Sequence, residues 1–201
     1  MPLTSPPLRD PVWARLAVRA RGRWTSIRHP ALRRVHGLSL AGGTVVQITP
    51  EADIDIGSGF VARRDLTLSV QGRLRIGTGM FCNRDVMLAA MREVVIGNDV
   101  RLGERVSIID HNHVIEPLDD LAARFGAYET APIVIGDRVL ISANCVILAG
   151  ARIGDDAVIG AGSVVRGEIP RGVLAVGAPA QVKRVLRPTG VGAPSAAGGT
   201  S

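Results

Sequence analysis

Aliphatic residues stand at every sixth position through much of the second half of the chain. The series comprises Ile135, Ile141, Ile147, Ile153, Ile159 and Val165. Neither an α-helix nor a flat sheet repeats with a period of six, so each hexad is interpreted as one short strand followed by one corner, with the aliphatic residue pointing inward. Three corners close a triangle, and about eighteen residues make one turn of a solenoid whose stacked strands pair at roughly 4.8 Å. The pattern predicts an all-β protein.

Ile-Gly dipeptides mark the same point in successive turns. They begin at residues 56, 76, 96, 135 and 153, which gives intervals of 20, 20, 39 and 18 residues. We expect each twenty-residue turn to carry two extra residues as a bulge at a corner. The interval of 39 residues exceeds an eighteen-residue turn by 21, which predicts a loop leaving the solenoid over about residues 110–132. Long loops on rigid scaffolds often carry function.

The composition supports a narrow solenoid. The chain has 24 glycines and an aromatic share of 3%, as expected where aliphatic side chains fill the coil and glycine forms corners. A conventional parallel sheet is the alternative, but it requires helical crossovers, and residues 133–177 show no helical pattern. We therefore divide the chain into an N-terminal segment (1–36), a solenoid domain (37–187) and a Gly/Ala/Ser/Pro-rich tail (188–201) that is expected to be disordered.

Positive charge is concentrated before the solenoid. Residues 1–36 hold eight arginines and one aspartate, whereas residues 37–201 hold sixteen lysines and arginines against seventeen acidic residues. A nucleic-acid-binding protein is expected to carry basic residues across its folded surface. The basic pI therefore does not indicate a nucleic-acid partner.

The N-terminal segment has the pattern of a short amphipathic helix. Asp10 and Pro11 suit the N-cap and the first helical position. One face of this helix would carry Trp13, Leu16, Ala17, Ala20 and Trp24. We expect the helix to cap the open end of the solenoid, as solenoids require. Contact of the arginine-rich segment with a membrane surface is the alternative, which we do not favour.

The chain carries no sequence signal for export or membrane insertion. It has no run of eighteen apolar residues, and its N-terminus lacks a signal-type hydrophobic core, so we expect a cytoplasmic protein. The two cysteines agree with a reducing compartment, because Cys82 and Cys145 fall on inward positions where they act as small buried hydrophobic residues. Neither is predicted to be a nucleophile.

A family resemblance is carried by the segment that begins at Ile135 and reads IGDRVLISANCVILAGARIGDDAVIGAGSVVRGEIPRGVLAVGAPAQVKR. With its GAGSVV, IP and VGAPA blocks, it resembles the hexapeptide-repeat acyltransferases, especially the sugar O-acetyltransferases of the maltose and nodulation type. The resemblance covers about residues 50–187. It implies a left-handed parallel β-helix, an exception to the usual right-handed crossover, and a homotrimer with active sites in the clefts between subunits. Leu140 departs from the family, since many relatives have tryptophan there, which alters packing near the acceptor site or the trimer seam.

A histidine pair lies at the root of the predicted loop. Transfer of an acyl group to a hydroxyl requires removal of the hydroxyl proton, and imidazole titrates in a suitable range. The sequence Asp110-His111-Asn112-His113 supplies two imidazoles, and the resemblance places His111 at the family's catalytic histidine. We predict that His111 is the general base and that His113 supports it or contacts substrate, because an extended backbone puts both on one face.

A carboxylate is needed to hold the second nitrogen of the base. The loop offers Asp110, Glu116 and Glu129, and the sequence does not choose among them.

The resemblance also assigns a coenzyme site. Ser142 matches the family's candidate for stabilising the thioester oxyanion, a task suited to backbone N–H groups at a tight corner. Ala143, Gly160 and Ala161 match the small positions along which the family lays the pantetheine arm. Lys183 and Arg184 would face the phosphates of coenzyme A.

The resemblance gives Asn83 and Asp85 as contacts to a sugar acceptor. Together these features predict an acetyl-CoA-dependent O-acetyltransferase acting on a sugar or glycosylated acceptor, without a required metal. Other acyl groups and an amine acceptor stay open.

The alternatives are a zinc hydratase like the γ-class carbonic anhydrases, which needs three histidine ligands, and a non-catalytic trimeric scaffold. Only His111 and His113 lie within the solenoid, since His29 and His36 precede it, so the zinc ligand set cannot readily be completed. The cluster over residues 110–113 argues against a scaffold.

Overall fold

The computed structural model describes residues 37–115 and 126–186 and, before them, the separate positions Ala17, Ala20, Arg21, Thr25 and Leu32. Within this part of the chain, short strands alternate with tight corners. In chain order the strands are β1 (Ser39–Leu40), β2 (Val45–Ile48), β3 (Asp53–Ile56), β4 (Val61–Ala62), β5 (Thr67–Val70), β6 (Arg73–Ile76), β7 (Phe81–Cys82), β8 (Met87–Ala90), β9 (Glu93–Ile96), β10 (Arg101–Leu102), β11 (Ser107–Ile109), β12 (His111–His113), β13 (Tyr128–Thr130), β14 (Ile133–Ile135), β15 (Leu140–Ile141), β16 (Val146–Leu148), β17 (Arg152–Ile153), β18 (Val158–Ile159), β19 (Val164–Val165), β20 (Glu168–Ile169), β21 (Val173–Gly177) and β22 (Ala180–Val185).

The strands stack into three parallel sheets that form the sides of a triangular coil. Face A contains β1, β4, β7, β10, β15, β18 and β21, with β22 added antiparallel at its end. Face B contains β2, β5, β8, β11, β16 and β19, and face C contains β3, β6, β9, β14, β17 and β20. The chain passes from face A to B to C in each of about six turns. The predicted left-handed parallel β-helix is confirmed.

The strand register follows the Ile-Gly dipeptides. Ile56 pairs with Ile76, Ile76 with Ile96, Ile96 with Ile135 and Ile135 with Ile153 on face C. The intervals read from the sequence are therefore the lengths of successive turns, and the long interval contains the excursion.

The inward positions predicted from the hexad series form the core. The six aliphatic residues of the series are each at most 2% exposed, namely Ile135, Ile141, Ile147, Ile153, Ile159 and Val165. Cys82 and Cys145 are fully buried beside them, as predicted. Burial of these side chains along one axis supplies the main driving force for folding of the coil.

The two extra residues of the twenty-residue turns lie in face B and not at a corner. There a twenty-residue turn has the inward residues Leu66, Leu68 and Val70, whereas an eighteen-residue turn has Cys145 and Ile147, and the corner that follows is equally long in both. The longer strands add one inward residue each, Val70 and Ala90, both buried. The prediction of a corner bulge is wrong, because a strand lengthened by two residues keeps its alternation and its ladder hydrogen bonds, while a bulge leaves a residue without a cross-strand partner.

Part of the N-terminal segment packs on the first turn. Leu32 is 1% exposed and belongs to the core cluster. Asp10, Pro11, Trp13 and Trp24 lie outside the described residues, as does the tail over 188–201. In the described part of the chain, no helix combines the length and apolar character needed to cross a bilayer.

Replacement of Ile147 by alanine should lower the free energy of unfolding by about 2–5 kcal/mol, because it leaves a cavity in a core position with no exposed surface. Val45→Ala is the matched control, since this residue lies on the outward side of the same face and is 46% exposed. We expect its effect to stay within about 0.5 kcal/mol. Chemical denaturation at equal protein concentration measures both, and equal losses would contradict the inward assignment.

Candidate functional site

The excursion from the coil is rooted in a two-stranded antiparallel hairpin. The chain leaves after β11, forms β12, returns through β13 and rejoins face C at Ile133. His111 pairs with Thr130, and His113 pairs with Tyr128. The amide of Ala131 donates to the carbonyl of Asp110 at 3.0 Å and closes the base of the hairpin. The histidine pair is therefore held on regular backbone directly beside the rigid coil.

Asp110 ties this root to the turn beneath it. It takes the inward position that Ala90 occupies one turn earlier, since Ile109 pairs with Ala89, and its side chain is fully buried. One carboxylate oxygen accepts a hydrogen bond from the amide of Met91 at 2.8 Å. The other accepts bonds from the amides of Arg92 and Glu93, both at 2.7 Å. The buried carboxylate and the three backbone amides thereby satisfy one another's need for hydrogen-bond partners, as burial requires.

The same carboxylate contacts the predicted base. His111 Nδ1 lies 3.2 Å from Asp110 Oδ1, and the His111 side chain is 24% exposed. When Nδ1–H donates to this carboxylate, the free lone pair of the ring is on Nε2. This arrangement gives the imidazole a fixed orientation and one nitrogen able to accept a proton.

The structure separates Glu129 from this contact. Glu129 pairs with Asn112, so it lies on the face of the hairpin opposite to His111 and His113. It is not placed to support the base, contrary to the sequence-based expectation. Glu116 lies outside the described residues.

Tyr128 is a neighbour of the histidine pair that sequence reasoning missed. Its ring centroid lies 5.5 Å from that of His111, with the planes at 83°, and 4.5 Å from that of His113, with the planes at 39°. Both imidazoles therefore lie on the same side of the hairpin as this ring. The available signal was that Tyr128 is the only tyrosine in the chain and falls in the predicted loop.

A second group of predicted site residues lies at the corner between faces A and B. Asn83, Ser142 and Gly160 each follow a face A strand, and their amides donate to the carbonyls of the next turn at 2.9 Å. The Ser142 amide is thus occupied by the carbonyl of Ile159, so it is not free for an oxyanion. The amide of Ala143 donates no hydrogen bond to any group in the described ranges. The N–H of Ala143 is therefore available for that task.

Other residues of this group have local structural roles. The side-chain amide of Asn83 donates to Glu104 Oε1, and Asp85 adopts a left-handed backbone conformation with φ of 56°. A Cβ added at Gly160 would lie 2.7 Å from Val176 Cγ2, so close packing of β21 already favours glycine there. The small residue at this position is explained without a coenzyme.

The remaining coenzyme candidates are accessible. Ala161 is exposed at the same corner. Lys183 and Arg184 are exposed on β22, at the C-terminal end of face A, where Arg184 pairs with Leu174.

The two groups occupy different corners of the triangle. His111 and Asp110 lie where the chain leaves face B, whereas Ser142 and Ala143 lie where it enters face B. The three residues of β11 alone span roughly 10 Å. One copy of the chain does not bring the predicted base beside the predicted coenzyme corner.

Neither cysteine supplies a nucleophile. Burial raises the pKa of the Cys82 and Cys145 thiols, so the thiolate is disfavoured in both. Across residues 37–115 and 126–186, no three histidine, cysteine or acidic side chains come together as a metal-binding group.

Comparison with known proteins places the chain in a family. The family described as bacterial transferase hexapeptide (six repeats) matches residues 132–167. A protein of Escherichia coli (strain K12), provisionally named lipopolysaccharide biosynthesis O-acetyl transferase WbbJ, is 32% identical over 143 residues, which cover 67% of this chain and 73% of that protein. A galactoside O-acetyltransferase of Lactococcus lactis subsp. lactis (strain IL1403) is 39% identical over 94 residues, 47% of this chain and 44% of that enzyme.

Solved structures share the fold. A hexapeptide-repeat-containing acetyltransferase from Vibrio cholerae is 26% identical, with a TM-score of 0.55 over 86% of this chain and 93% of that chain. Its complex with acetyl coenzyme A, from Vibrio cholerae O1 biovar eltor, is 23% identical, with a TM-score of 0.54 over 86% and 89% of the two chains.

The chain therefore belongs to the hexapeptide-repeat acyltransferases. Within that superfamily it is of the O-acetyltransferase type, as the repeat and the VGAPA turn predicted, and it is an acyltransferase enzyme.

Proposed function

We propose that the protein transfers an acetyl group from acetyl-CoA to a hydroxyl of a sugar or glycosylated acceptor, with His111 as general base. The observation that carries this proposal is the buried Asp110 carboxylate 3.2 Å from His111 Nδ1, which leaves Nε2 as the proton acceptor on a partly exposed ring. The names of the relatives support the acetyl donor and the oxygen acceptor. A reducing cytoplasm fits the two buried free cysteines.

The chemical step follows from this orientation. His111 Nε2 removes the proton of the acceptor hydroxyl as its oxygen attacks the thioester carbonyl carbon. The negative charge that develops on the carbonyl oxygen requires a fixed donor, and the free amide of Ala143 can supply one. The carbon–sulfur bond then breaks, the imidazolium returns its proton to the leaving thiolate, and the products are the acetyl ester and coenzyme A.

The proposed site needs a second copy of the chain. The base and the coenzyme corner lie at opposite ends of face B, so residues from neighbouring subunits must meet in a cleft. The outward sides of faces A and B are suited to subunit contact, because Val61, Met87 and Leu140 are 37–41% exposed there. Face C instead carries ion pairs such as Arg73 with Glu93, at 3.1 Å. We therefore propose the homotrimer typical of the superfamily.

The coenzyme is proposed to lie along the corner between faces A and B. Its thioester would reach Ala143, and its phosphates would meet Lys183 and Arg184, which are free to make charge-assisted contacts from the end of face A. The Vibrio protein, which has been solved with acetyl coenzyme A, supports this donor. No step in this scheme requires a metal.

Replacement of His111 by alanine should lower kcat by roughly 10²–10⁴-fold, because the step loses its general base. Free thiol release from acetyl-CoA, measured over a panel of sugar acceptors, gives the rate. Asn112→Ala is the control on the other face of the hairpin and should keep full activity.

Calorimetric titration with coenzyme A should show the same affinity for wild type and His111→Ala. Retained turnover in this variant would remove His111 as the base. Absence of coenzyme A binding to the wild-type protein would favour the non-catalytic scaffold.

Asp110→Asn should lower kcat, because the amide that replaces the carboxylate can donate to His111 Nδ1 and so place the ring proton on Nε2, the nitrogen that must accept the proton of the hydroxyl. Asp137→Asn is the matched control. Asp137 also accepts from a backbone amide, that of Asn98 at 2.7 Å, but at the corner between faces C and A. Asp137→Asn should change stability and leave kcat unchanged, whereas an unchanged kcat in Asp110→Asn would make Asp110 purely structural.

Coexpression of two inactive variants tests the shared site. His111→Ala and Asn83→Ala, carrying different tags, should form mixed trimers in which about one third of the sites combine both intact halves. Turnover should therefore return in the doubly tagged fraction. If Asn83→Ala keeps turnover, Ala143→Trp replaces it, since a bulky side chain would obstruct the coenzyme corner. Mixed oligomers with no activity would place the whole site within one chain.

A further inference from the structure

Tyr128 offers an aromatic surface directly beside the proposed base. We infer that Tyr128 and His113 form a platform that stacks on the apolar face of a cyclic acceptor such as a pyranose and presents one of its hydroxyls to His111. This inference rests on the proposed function and names the class of acceptor that the same site takes.

The hairpin register creates the platform. His113 and Tyr128 are direct cross-strand partners, and their ring centroids are 4.5 Å apart with planes at 39°. His111 is the diagonal neighbour on the same face, with its ring nearly perpendicular to that of Tyr128. Packing against two imidazoles limits the rotation of the tyrosine ring. The platform and the base thus have a fixed relation to each other.

The platform is accessible to a ligand. Tyr128 is 43% exposed, and His113 is also exposed. An aromatic ring is not needed for the coil at this point, because the hairpin lies outside the core and Tyr128 is absent from the core cluster. Aromatic residues make up only 3% of the chain. An exposed ring retained beside a proton acceptor is best explained by contact with substrate.

The chemistry of the ring selects the acceptor. The face of an aromatic ring carries negative charge, which attracts the polarised C–H groups that a pyranose presents on one side. A flexible acyclic polyol has the same hydroxyl groups but no such face. Within the described strands β12 and β13, the opposite side of the hairpin presents Asn112 and Glu129 and no aromatic ring. Selectivity for a cyclic acceptor is therefore assigned to the side that carries His111.

Kinetics of three variants separate a platform from a structural role. With methyl β-D-galactopyranoside or another pyranoside accepted by the wild type, Tyr128→Ala should raise the acceptor KM by about tenfold, the magnitude of one lost aromatic contact. The KM for acetyl-CoA should not change. Tyr128→Phe should restore the acceptor KM, because it keeps the ring, and Asn112→Ala should resemble the wild type. An unchanged acceptor KM in Tyr128→Ala, or an equal loss in Tyr128→Phe, would overturn the platform.

The single tyrosine also allows a binding test that does not depend on turnover. Protein labelled with 3-fluorotyrosine contains one fluorinated site, since Tyr128 is the only tyrosine among 201 residues. Its fluorine resonance should shift on titration with methyl β-D-galactopyranoside in the presence of coenzyme A, and galactitol should cause no shift. The shift should persist in His111→Ala.

These measurements distinguish failure of the platform from failure of the proposed acetyl-transfer reaction. A pyranoside-specific shift without acetyl transfer to any sugar would keep the platform and contradict the proposed reaction. Acetyl transfer to a pyranoside without any shift, or equal shifts with galactitol, would overturn the platform and leave the reaction standing. Absence of both shift and transfer across the pyranoside panel would overturn both.

Discussion

The narrow triangular cross-section of the coil is the constraint on which the rest of the structure depends. It leaves room for one inward side chain at each alternate strand position, and aliphatic residues fill nearly all of these places. Asp110 is the charged exception among the buried residues of the described chain. A carboxylate is tolerated there because three backbone amides of the turn beneath donate to it. The departure from the repeat therefore occurs where the hairpin leaves the coil.

This exception connects stability with chemistry. The oxygen of Asp110 that accepts from Met91 also faces His111 Nδ1. The hairpin root is consequently anchored to the rigid coil at Asp110, the residue that orients the proposed base. The imidazole of His111 follows directly in the chain, so its position relative to the coil is closely restricted. Such fixed positioning is what a general base requires, because proton transfer depends steeply on distance and angle.

The sequence predicted the coil well because its repeat is encoded residue by residue. Inward side chains recur with a fixed period, and the Ile-Gly dipeptides set the strand register that Ile96 and Ile135 keep across the excursion. The position of the extra residues in face B was not predicted, since a longer strand and a corner bulge have the same length.

The contacts within the hairpin were harder to predict from the sequence. Which carboxylate meets His111 depends on cross-strand pairing, and pairing places Glu129 on the far face while Asp110 turns inward. The role of Tyr128 depends on the same register. The hydrogen bond from the Ser142 amide to the carbonyl of Ile159 forms because one turn stacks on the next. These features are properties of contacts between segments, which a single repeat does not specify.

The separation of the two corners has a consequence for the evolution of specificity. The proposed base and the proposed coenzyme corner lie at opposite ends of face B and would act together where two copies meet, so the acceptor would bind outside the inward-facing core. In the proposed trimer, Leu140, which is exposed on face A, would line one wall of such a cleft without disturbing an inward residue. Tyr128, which is exposed on the hairpin, would line the other wall. The coil can thus remain constant while residues outside it determine which hydroxyl reaches the imidazole.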